Sequence, residues 1–312
     1  MLFNSAEFIP ASARERLAAP ALRTATRMFL KPVLSPNVPI AWQRRWLRQL
    51  TRAIRPSRHV DIQPATLGGV TGEWLRSRYA AANAKTTAAI LYLHGGGYCV
   101  GSPATHRAIT SHLAQASGLP VFAADYRLAP EHPFPAAIED AVSAYRSLVY
   151  MGPVVIAGDS AGGGLSLATA LALRQRQVEP PAALVLLSPW VDLTMSEISD
   201  KAPKGEVMLS VPWLNVCAQQ YLAGKDAMAA LASPIYGDLR GLPPSLIQAS
   251  TDELLYSDAV SIHDALLKAG VAVRCEIVPA RWHTFQLHAG ILPSADAAIE
   301  RAATFITRNI AS

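Results

Sequence analysis

The chain has 312 residues, of which 51% are hydrophobic and 16% are charged, a composition typical of a globular protein with a substantial core. The formal net charge of +5 comes from residues 1–60, where eleven basic residues oppose only Glu7 and Glu15. The sequence contains no apolar run of the eighteen or so residues that span a bilayer and no signal-peptide pattern, so it predicts a cytoplasmic protein without stable membrane insertion.

The basic residues and the cysteines exclude two further classes of function. The N-terminal arginines alternate with an apolar stripe and are not interleaved with aromatic residues on a recognisable nucleic-acid-binding fold, so no nucleic-acid partner is expected. A solvated helix face is the main interpretation, and an anionic membrane surface or substrate is the minor alternative. Cys99, Cys217 and Cys275 are scattered and odd in number, which predicts neither a disulfide framework nor a metal site.

Residues 1–58 are predicted to form a helical segment separate from the remainder of the chain. A weak apolar stripe runs from Leu22 to Phe29, bounded by Pro20 and Pro32. In a second predicted helix, 39–55, arginines occupy most of the surface, and the apolar residues that share one face are Trp42, Trp46, Leu47, Leu50 and Ile54. Such a face needs an apolar partner on which to pack.

From residue 59 onward the pattern predicts an α/β domain over 59–193 and 234–312. Two strands, 59–66 and 70–79, are joined by a glycine pair as a hairpin. Apolar strands then alternate with helical patterns, which indicates βαβ units and a mostly parallel sheet. The further predicted strands are 88–93, 121–124, 154–157, 183–187, 245–249 and 271–278, and the predicted helices are 104–117, 136–150, 161–177, 257–269 and 295–310.

An insertion at 194–233 interrupts this alternation. It holds Met195, Met208, Trp213, Tyr221 and Met228 but has no pattern for a core of its own. We expect it to pack with the N-terminal helices as an apolar lid, which would suit an apolar substrate.

Ser160 lies on a G-x-S-x-G turn between a predicted strand and a predicted helix. Gly158 and Gly162 flank the serine, so strand and helix can approach closely around a strained residue. The helix beginning at Ala161 directs its N-terminal N–H groups toward the same spot, which favours developing negative charge. We call this G-x-S-x-G turn the elbow. Asp159 is assigned to its backbone, without a direct part in proton transfer.

A second glycine motif follows the strand 88–93. His94 precedes three consecutive glycines, whose main use is to bring backbone N–H groups close to a ligand. The run is therefore a candidate oxyanion hole, with His94 as a scaffold residue, and a plain glycine turn is the alternative.

The serine needs a base, and His283 is the candidate among eight histidines. It follows the strand 271–278 in a loop at the carboxyl edge of the sheet, where ligands bind in open α/β folds. His288 is the rival, five residues further on. Asp252 is the candidate orienting acid, because it follows the strand 245–249 and lies between serine and histidine in the chain. Its neighbour Glu253 is expected to point elsewhere.

Two other carboxylates are weaker candidates than Asp252 for the orienting acid. Asp258 falls inside the next helix pattern, where it would cap the helix. Asp192 follows the preceding strand and is the weaker rival.

Taken together, these motifs resemble the hormone-sensitive-lipase-like family of α/β hydrolases, also called bacterial family IV esterases. The matching segments are H-G-G-G at 94–97, D-Y-R-L-A-P-E-H-P-F-P-A-A at 125–137, G-D-S-A-G-G at 158–163 and S-P-W-x-D-L at 188–193. The resemblance implies an α/β-hydrolase fold, with a mostly parallel eight-stranded sheet flanked by helices and a helical cap made from 1–58 and 194–233. It also implies hydrolysis of a small-molecule carboxylic ester with a short to medium acyl chain, without a cofactor or metal.

The resemblance also assigns roles by position. Ser160 becomes the nucleophile, His283 the general base and Asp252 its orienter. The backbone donors of the oxyanion hole become Gly96, Gly97 and Ala161, and the motif scaffold consists of His94, Gly95, Gly158, Asp159 and Gly162.

The chain departs from the commonest family pattern beside the acid and beside the base. Glu253 stands where many members have proline, and Thr284 stands where many have glycine, which leaves the shape of the histidine loop open. A lactone, amide or carbamate substrate and a non-catalytic ligand-binding role are the alternatives to ester hydrolysis. A homodimer through the edge of the strand 271–278 is also left open.

Overall fold

A nine-stranded, mostly parallel sheet forms the centre of the protein in this computed structural model, which describes residues 2–4, 8–53, 55–79, 87–198 and 203–310. The strands are β1 (Leu2–Asn4), β2 (Val60–Leu67), β3 (Val70–Ser77), β4 (Ala89–Leu93), β5 (Val121–Ala124), β6 (Val154–Asp159), β7 (Ala183–Leu187), β8 (Ser245–Ser250) and β9 (Val273–Val278). Their order across the sheet is β1-β9-β8-β7-β6-β4-β5-β3-β2. Only the β2–β3 and β3–β5 pairs are antiparallel.

All eight predicted strands are present, with bounds within two residues of the prediction. The ninth, β1, pairs in parallel with β9 from Leu2 opposite Cys275 to Asn4 opposite Ile277. Three residues are too few to show an alternating pattern, so the sequence offers no signal for this strand. Because β1 pairs with β9 over these residues, that part of the β9 edge is not free to pair with a second copy.

Eight α-helices lie on the two faces of the sheet or above its carboxyl end within the described residues. They are α1 (Ala13–Phe29), α2 (Ile40–Leu50), α3 (Arg107–Ser117), α4 (Ala136–Val149), α5 (Ala161–Gln175), α6 (Val211–Leu222), α7 (Tyr256–Lys268) and α8 (Pro293–Ile310). In the central strands, alternate residues face two different hydrophobic cores. Leu91 and Leu93 face the core shared with α4, α5 and α7, whereas Ile90 and Tyr92 face the core shared with α3 and α8. The alternation follows from the two-residue period of a strand.

The N-terminal helices differ from the prediction in two respects. Helix α1 begins well before Pro20, which lies inside it, because Ser12 caps the helix by accepting the Glu15 N–H at 3.0 Å. In α2, the predicted apolar face is wrong in part, since Trp42 and Trp46 are exposed. The inward face carries the buried Gln43 together with Leu47. The helix gives way to a 3₁₀ turn, Thr51–Ala53, and Ile54 lies outside the described residues.

The insertion and the N-terminal segment contact each other above the carboxyl end of the sheet. The indole N–H of Trp213 on α6 donates to Oε1 of Gln43 on α2 at 2.9 Å, and Lys31 Nζ donates to the Glu206 carbonyl at 3.0 Å. Trp213 and Tyr221 are buried in the same core as α4 and α5, whereas Met228 is exposed. The division into cap segments 1–58 and 194–233 and a catalytic domain stays a prediction, and the insertion's residues 199–202 lie outside the described residues.

Candidate active site

Ser160 occupies a strained corner between β6 and α5. Its backbone angles are φ 53° and ψ −122°, a region that non-glycine residues rarely adopt. The corner tolerates no side chain on either flank. A Cβ added to Gly158 would lie 2.3 Å from the Gly162 carbonyl oxygen, and one added to Gly162 would lie 2.0 Å from that of Leu93. The two glycines predicted for the elbow are therefore required by close backbone packing.

The glycine loop after β4 faces the same corner. Gly96 and Gly97 have φ of 122° and 59°, and a Cβ on Gly96 would lie 2.2 Å from the Val100 carbonyl oxygen. Within the described chain, the N–H groups of Gly96, Gly97 and Ala161 are not bonded to a protein acceptor. Three donors at this corner remain available to a ligand.

The Asp159 carboxylate joins the glycine loop to the elbow. Its Oδ1 accepts the Gly95 N–H at 3.0 Å and the Tyr92 hydroxyl at 2.7 Å, and its Oδ2 lies 3.3 Å from His106 Nε2. Burial opposes ionisation of Asp159, but the facing His106 imidazole holds the pKa of this carboxyl below its ordinary value. His106 thus supports the loop through Asp159.

His94 fills the space behind the glycine loop. Its ring stacks on Tyr126 with centroids 4.3 Å apart and on His106 at 5.4 Å. Burial lowers the pKa of His94 to about 3, and the neighbouring His106 adds to the effect. His94 is therefore neutral at physiological pH, and its packing agrees with the scaffold role expected for it.

His283 lies in the loop after β9, and its acidic partner differs from the predicted one. Its Nδ1 is 3.0 Å from Oε2 of Glu253, and both side chains are buried. Asp252 instead accepts from Arg23 Nη2 at 2.9 Å and from Thr251 Oγ1 at 3.1 Å. The expectation that Asp252 orients His283 is therefore wrong in this structure. The side chains of successive residues after β8 point in different directions, and the one that is buried against His283 belongs to Glu253.

The electrostatic surroundings of His283 favour its charged form. Burial alone would lower the pKa of His283, but the hydrogen bond and the charge of Glu253 raise it above the ordinary value, with smaller contributions from Glu206 and Asp159. The second oxygen of Glu253 accepts the Ser250 N–H at 3.0 Å, which fixes the carboxylate in place. An imidazolium formed at His283 would be stabilised here.

Glu206 is a buried residue of this region that the sequence analysis missed. Its oxygens accept the N–H groups of Met208 at 2.6 Å, Leu209 at 2.8 Å and Leu254 at 3.0 Å. It thereby ties the insertion to the loop that carries Glu253. A single glutamate in an irregular segment carries no periodic signal by which it could have been found.

Helix α1 braces the loops that carry the acid and the base. Arg23 donates to Asp252 and, at 2.9 Å each, to the carbonyls of Gly205 and Ala280. About two turns before Arg23 in α1, the buried Glu15 forms an ion pair with Arg281. Arg281 precedes His283 by two residues. These long-range contacts were also absent from the sequence analysis, because nothing in the local pattern of α1 indicates its partners.

Ser160 and His283 line one cavity of about 100 Å³. Its wall includes Gly96 of the glycine loop, and the insertion contributes Met208, Leu209 and Trp213, while the N-terminal segment contributes Leu30, Leu34, Leu47 and Thr51. Met195, expected to help close the site, is not among the lining residues. A larger open groove of about 1160 Å³ lies elsewhere, between residues 55–60 and 290–304, and neither Ser160 nor His283 lines it.

Residues 90–287 match the family described as the alpha/beta hydrolase fold, which accounts for the sheet, the elbow and the histidine loop together. The chain belongs to this family. Among its relatives, an acetyl-hydrolase of Streptomyces hygroscopicus is 45% identical over 246 residues, covering 77% of this chain and 81% of the relative. An esterase of Acinetobacter venetianus is 34% identical over 299 residues, covering 94% of each chain.

The solved structures agree with this membership. An esterase of the bacterial hormone-sensitive lipase family superposes with a TM-score of 0.85 at 34% identity, covering 97% of this chain and all of the other. The predicted resemblance to that family and the predicted fold class are confirmed. One relative is named an acetyl-hydrolase and the other an esterase, in agreement with the predicted enzyme class.

Proposed function

We propose that the protein is a serine carboxylesterase for short acyl chains, with Ser160 as nucleophile, His283 as general base and Glu253 as the acid that orients it. The observation that carries the proposal is the cavity that the strained Ser160 shares with His283, whose Nδ1 faces the buried Glu253. Nucleophile, base and orienting group are the three parts that activate a hydroxyl for acyl transfer.

The geometry supports a two-step reaction. His283 accepts the Ser160 hydroxyl proton while Oγ attacks the ester carbonyl carbon, and the tetrahedral oxyanion is held by the N–H groups of Gly96, Gly97 and Ala161. His283 then protonates the departing alcohol, and an acyl-enzyme remains on Ser160. Water repeats the sequence and releases the acid.

Glu253 keeps the base in its working form. Because Oε2 faces Nδ1 of His283, it selects the tautomer whose Nε2 is free to accept a proton, and it stabilises the imidazolium that forms. Asp159 and His106 hold the glycine loop in register with the elbow and take no proton from the substrate.

The cavity supports a preference for short acyl chains. At about 100 Å³, it is smaller than the engineered cavity of about 150 Å³ that holds a benzene molecule. The wall from Met208 to Trp213 would stop a long chain, and the name of the Streptomyces relative, an acetyl-hydrolase, points in the same direction.

The test is the rate of p-nitrophenyl ester hydrolysis from acetate to palmitate. We expect the highest kcat/KM at acetate to butyrate, loss of activity in Ser160→Ala, and full activity in Ser147→Ala, whose hydroxyl only bonds its own helix. Activity retained by Ser160→Ala would overturn the proposed nucleophile. A maximum at long chains would overturn the proposed substrate range.

A further inference from the structure

The outer surface of α1 and α2 presents large apolar side chains to solvent. Trp42 is 64% exposed, Met28 62%, Phe29 50% and Trp46 43%. We call these four residues the tryptophan face. They are neighbours in space, because the Trp46 indole N–H donates to the Phe29 carbonyl at 2.8 Å and Trp42 precedes Trp46 by one helical turn.

Exposed arginines lie on the same two helices as the tryptophan face, and one of them contacts it directly. The Arg45 guanidinium lies 5.9 Å from the centre of the Trp42 ring, and Arg27 and Arg48 are exposed on the same two helices. Within the described residues none of these three pairs with an acidic side chain. Three of the eleven basic residues of 1–60 are therefore exposed, and without an acidic partner among the described residues, on the two helices that carry the tryptophan face.

The helix that carries the two tryptophans is held rigidly from its other side. Arg44 forms a bidentate ion pair with Glu131 and donates to the carbonyls of Cys99 and Ala129 at 2.7 and 2.8 Å. Leu47 faces the cavity. The tryptophans therefore cannot turn inward without breaking these contacts, and the face is a fixed outer surface of the protein.

The charge pattern decides between two occupants of this surface. A second copy of the chain would meet it through a two-fold axis, which would bring the same arginines of both copies together without acidic partners. An anionic bilayer supplies the missing partners, since lipid phosphates attract arginine and tryptophan rings favour the headgroup region.

We propose that the tryptophan face binds the surface of an anionic phospholipid bilayer, with the two indoles at headgroup depth and the arginines on the lipid phosphates. The proposed contact is peripheral, at the depth of the lipid headgroups. A search of the described residues finds no helix suited to spanning a bilayer. Binding does not require catalysis. Delivery of membrane-borne esters to the cavity beneath α2 would follow from it and rests on the proposed function.

The experiment is co-sedimentation of the Ser160→Ala variant with vesicles of phosphatidylcholine alone or mixed with phosphatidylglycerol. We expect binding to the anionic vesicles, weakened roughly tenfold by Trp42→Ser through lost apolar burial and about fivefold by each of Arg45→Gln and Arg48→Gln. High salt should weaken it further. Tyr150→Ser is the matched control, since that side chain is 89% exposed on another helix end, and it should change nothing.

Three outcomes would overturn the proposal. The first is equal sedimentation with both kinds of vesicle, and the second is anionic binding that Tyr150→Ser weakens as much as Trp42→Ser. The third is a dimer in sedimentation velocity that Trp42→Ser abolishes, with no vesicle binding. Each variant, made also with Ser160 intact, should hydrolyse soluble p-nitrophenyl acetate at the parent rate. This control shows that a loss of binding is not a loss of folding.

Discussion

Replacing Asp252 and Glu253 by their amides, one at a time, tests whether Glu253 rather than Asp252 orients His283. In Glu253→Gln the side chain keeps its length but has one acceptor oxygen, whereas Glu253 uses two, one for His283 Nδ1 and one for the Ser250 N–H. One of these donors must then face an amide NH₂. Asp252→Asn changes a partly exposed group paired with Arg23 and leaves the His283–Glu253 contact in place.

The expected magnitude follows from the 3.0 Å separation of His283 and Glu253. At an effective dielectric constant of about 20, a full charge pair at that distance is worth roughly 5 kcal/mol, which corresponds to a factor of about 10⁴ in rate. Loss of the orienting aspartate in a serine-protease triad costs a similar factor. For Asp252→Asn, breaking a partly exposed ion pair costs at most about 1 kcal/mol, or less than tenfold in kcat.

The assay is kcat for p-nitrophenyl acetate, with circular dichroism spectra and Tm measured for both variants. We expect kcat to fall by 10³–10⁴ in Glu253→Gln and by less than about tenfold in Asp252→Asn. A loss in Asp252→Asn as large as that in Glu253→Gln would refute the reasoning. So would a folded Glu253→Gln enzyme that retained more than about a tenth of wild-type activity.

Further predictions concern pH, the glycine loop and two buried carboxylates. Burial lowers the pKa of His283, but Glu253 raises it by more, so the pKa lies above the ordinary 6.5. Because His283 acts as a base only when neutral, the acid limb of the pH profile of kcat/KM should lie above pH 6.5 and move to lower pH in Glu253→Gln. Gly96→Ala, at φ 122°, should lower kcat by at least about 10². Gly118→Ala, with open space around its Cβ position, should leave kcat unchanged. Equal kcat in the two variants would contradict a role for the glycine loop in binding the oxyanion. Glu15→Ala should destabilise the fold by about 3–5 kcal/mol in urea unfolding, because Arg281 is left buried and unpaired, and a loss below 1 kcal/mol would contradict this. Burial raises the pKa of Asp258 to about 7, so the free energy of unfolding that it contributes falls as the pH rises from 4 to 7. Asp258→Asn should remove this part of the pH dependence of stability, measured by urea unfolding. An unchanged pH dependence would refute the raised pKa of Asp258.

The sequence predicted the sheet and the strained turn at Ser160 well because both depend on local patterns. Continuous apolar strands and the glycines around Ser160 are readable without knowing any contact. The acidic partner of His283 was predicted one residue away from the one observed, Glu253, because side-chain direction after β8 depends on what is buried beneath it. The roles of Glu15, Arg23 and Glu206 depend on contacts across more than 45 residues, which periodicity and spacing do not encode.

The exposure of Trp42 is a second feature that the local sequence pattern could not predict. A stripe on a helix predicts that one face is buried, but it does not show which face. Here Gln43 faces inward because its side-chain amide can bond Ser35, Val38 and Trp213. The tertiary hydrogen bonds of one polar residue therefore set the orientation of α2.

The central claim is that Ser160 becomes covalently acylated, and trapping the intermediate tests it most directly. The wild-type protein would be treated with diethyl p-nitrophenyl phosphate, which leaves a stable phosphoryl group on an activated serine, and then examined by intact-protein and peptide mass spectrometry. The account predicts a single diethylphosphoryl group on Ser160, formed much more slowly in His283→Ala and absent in Ser160→Ala. An unmodified wild-type protein, or a group on another residue that forms equally in Ser160→Ala, would contradict it.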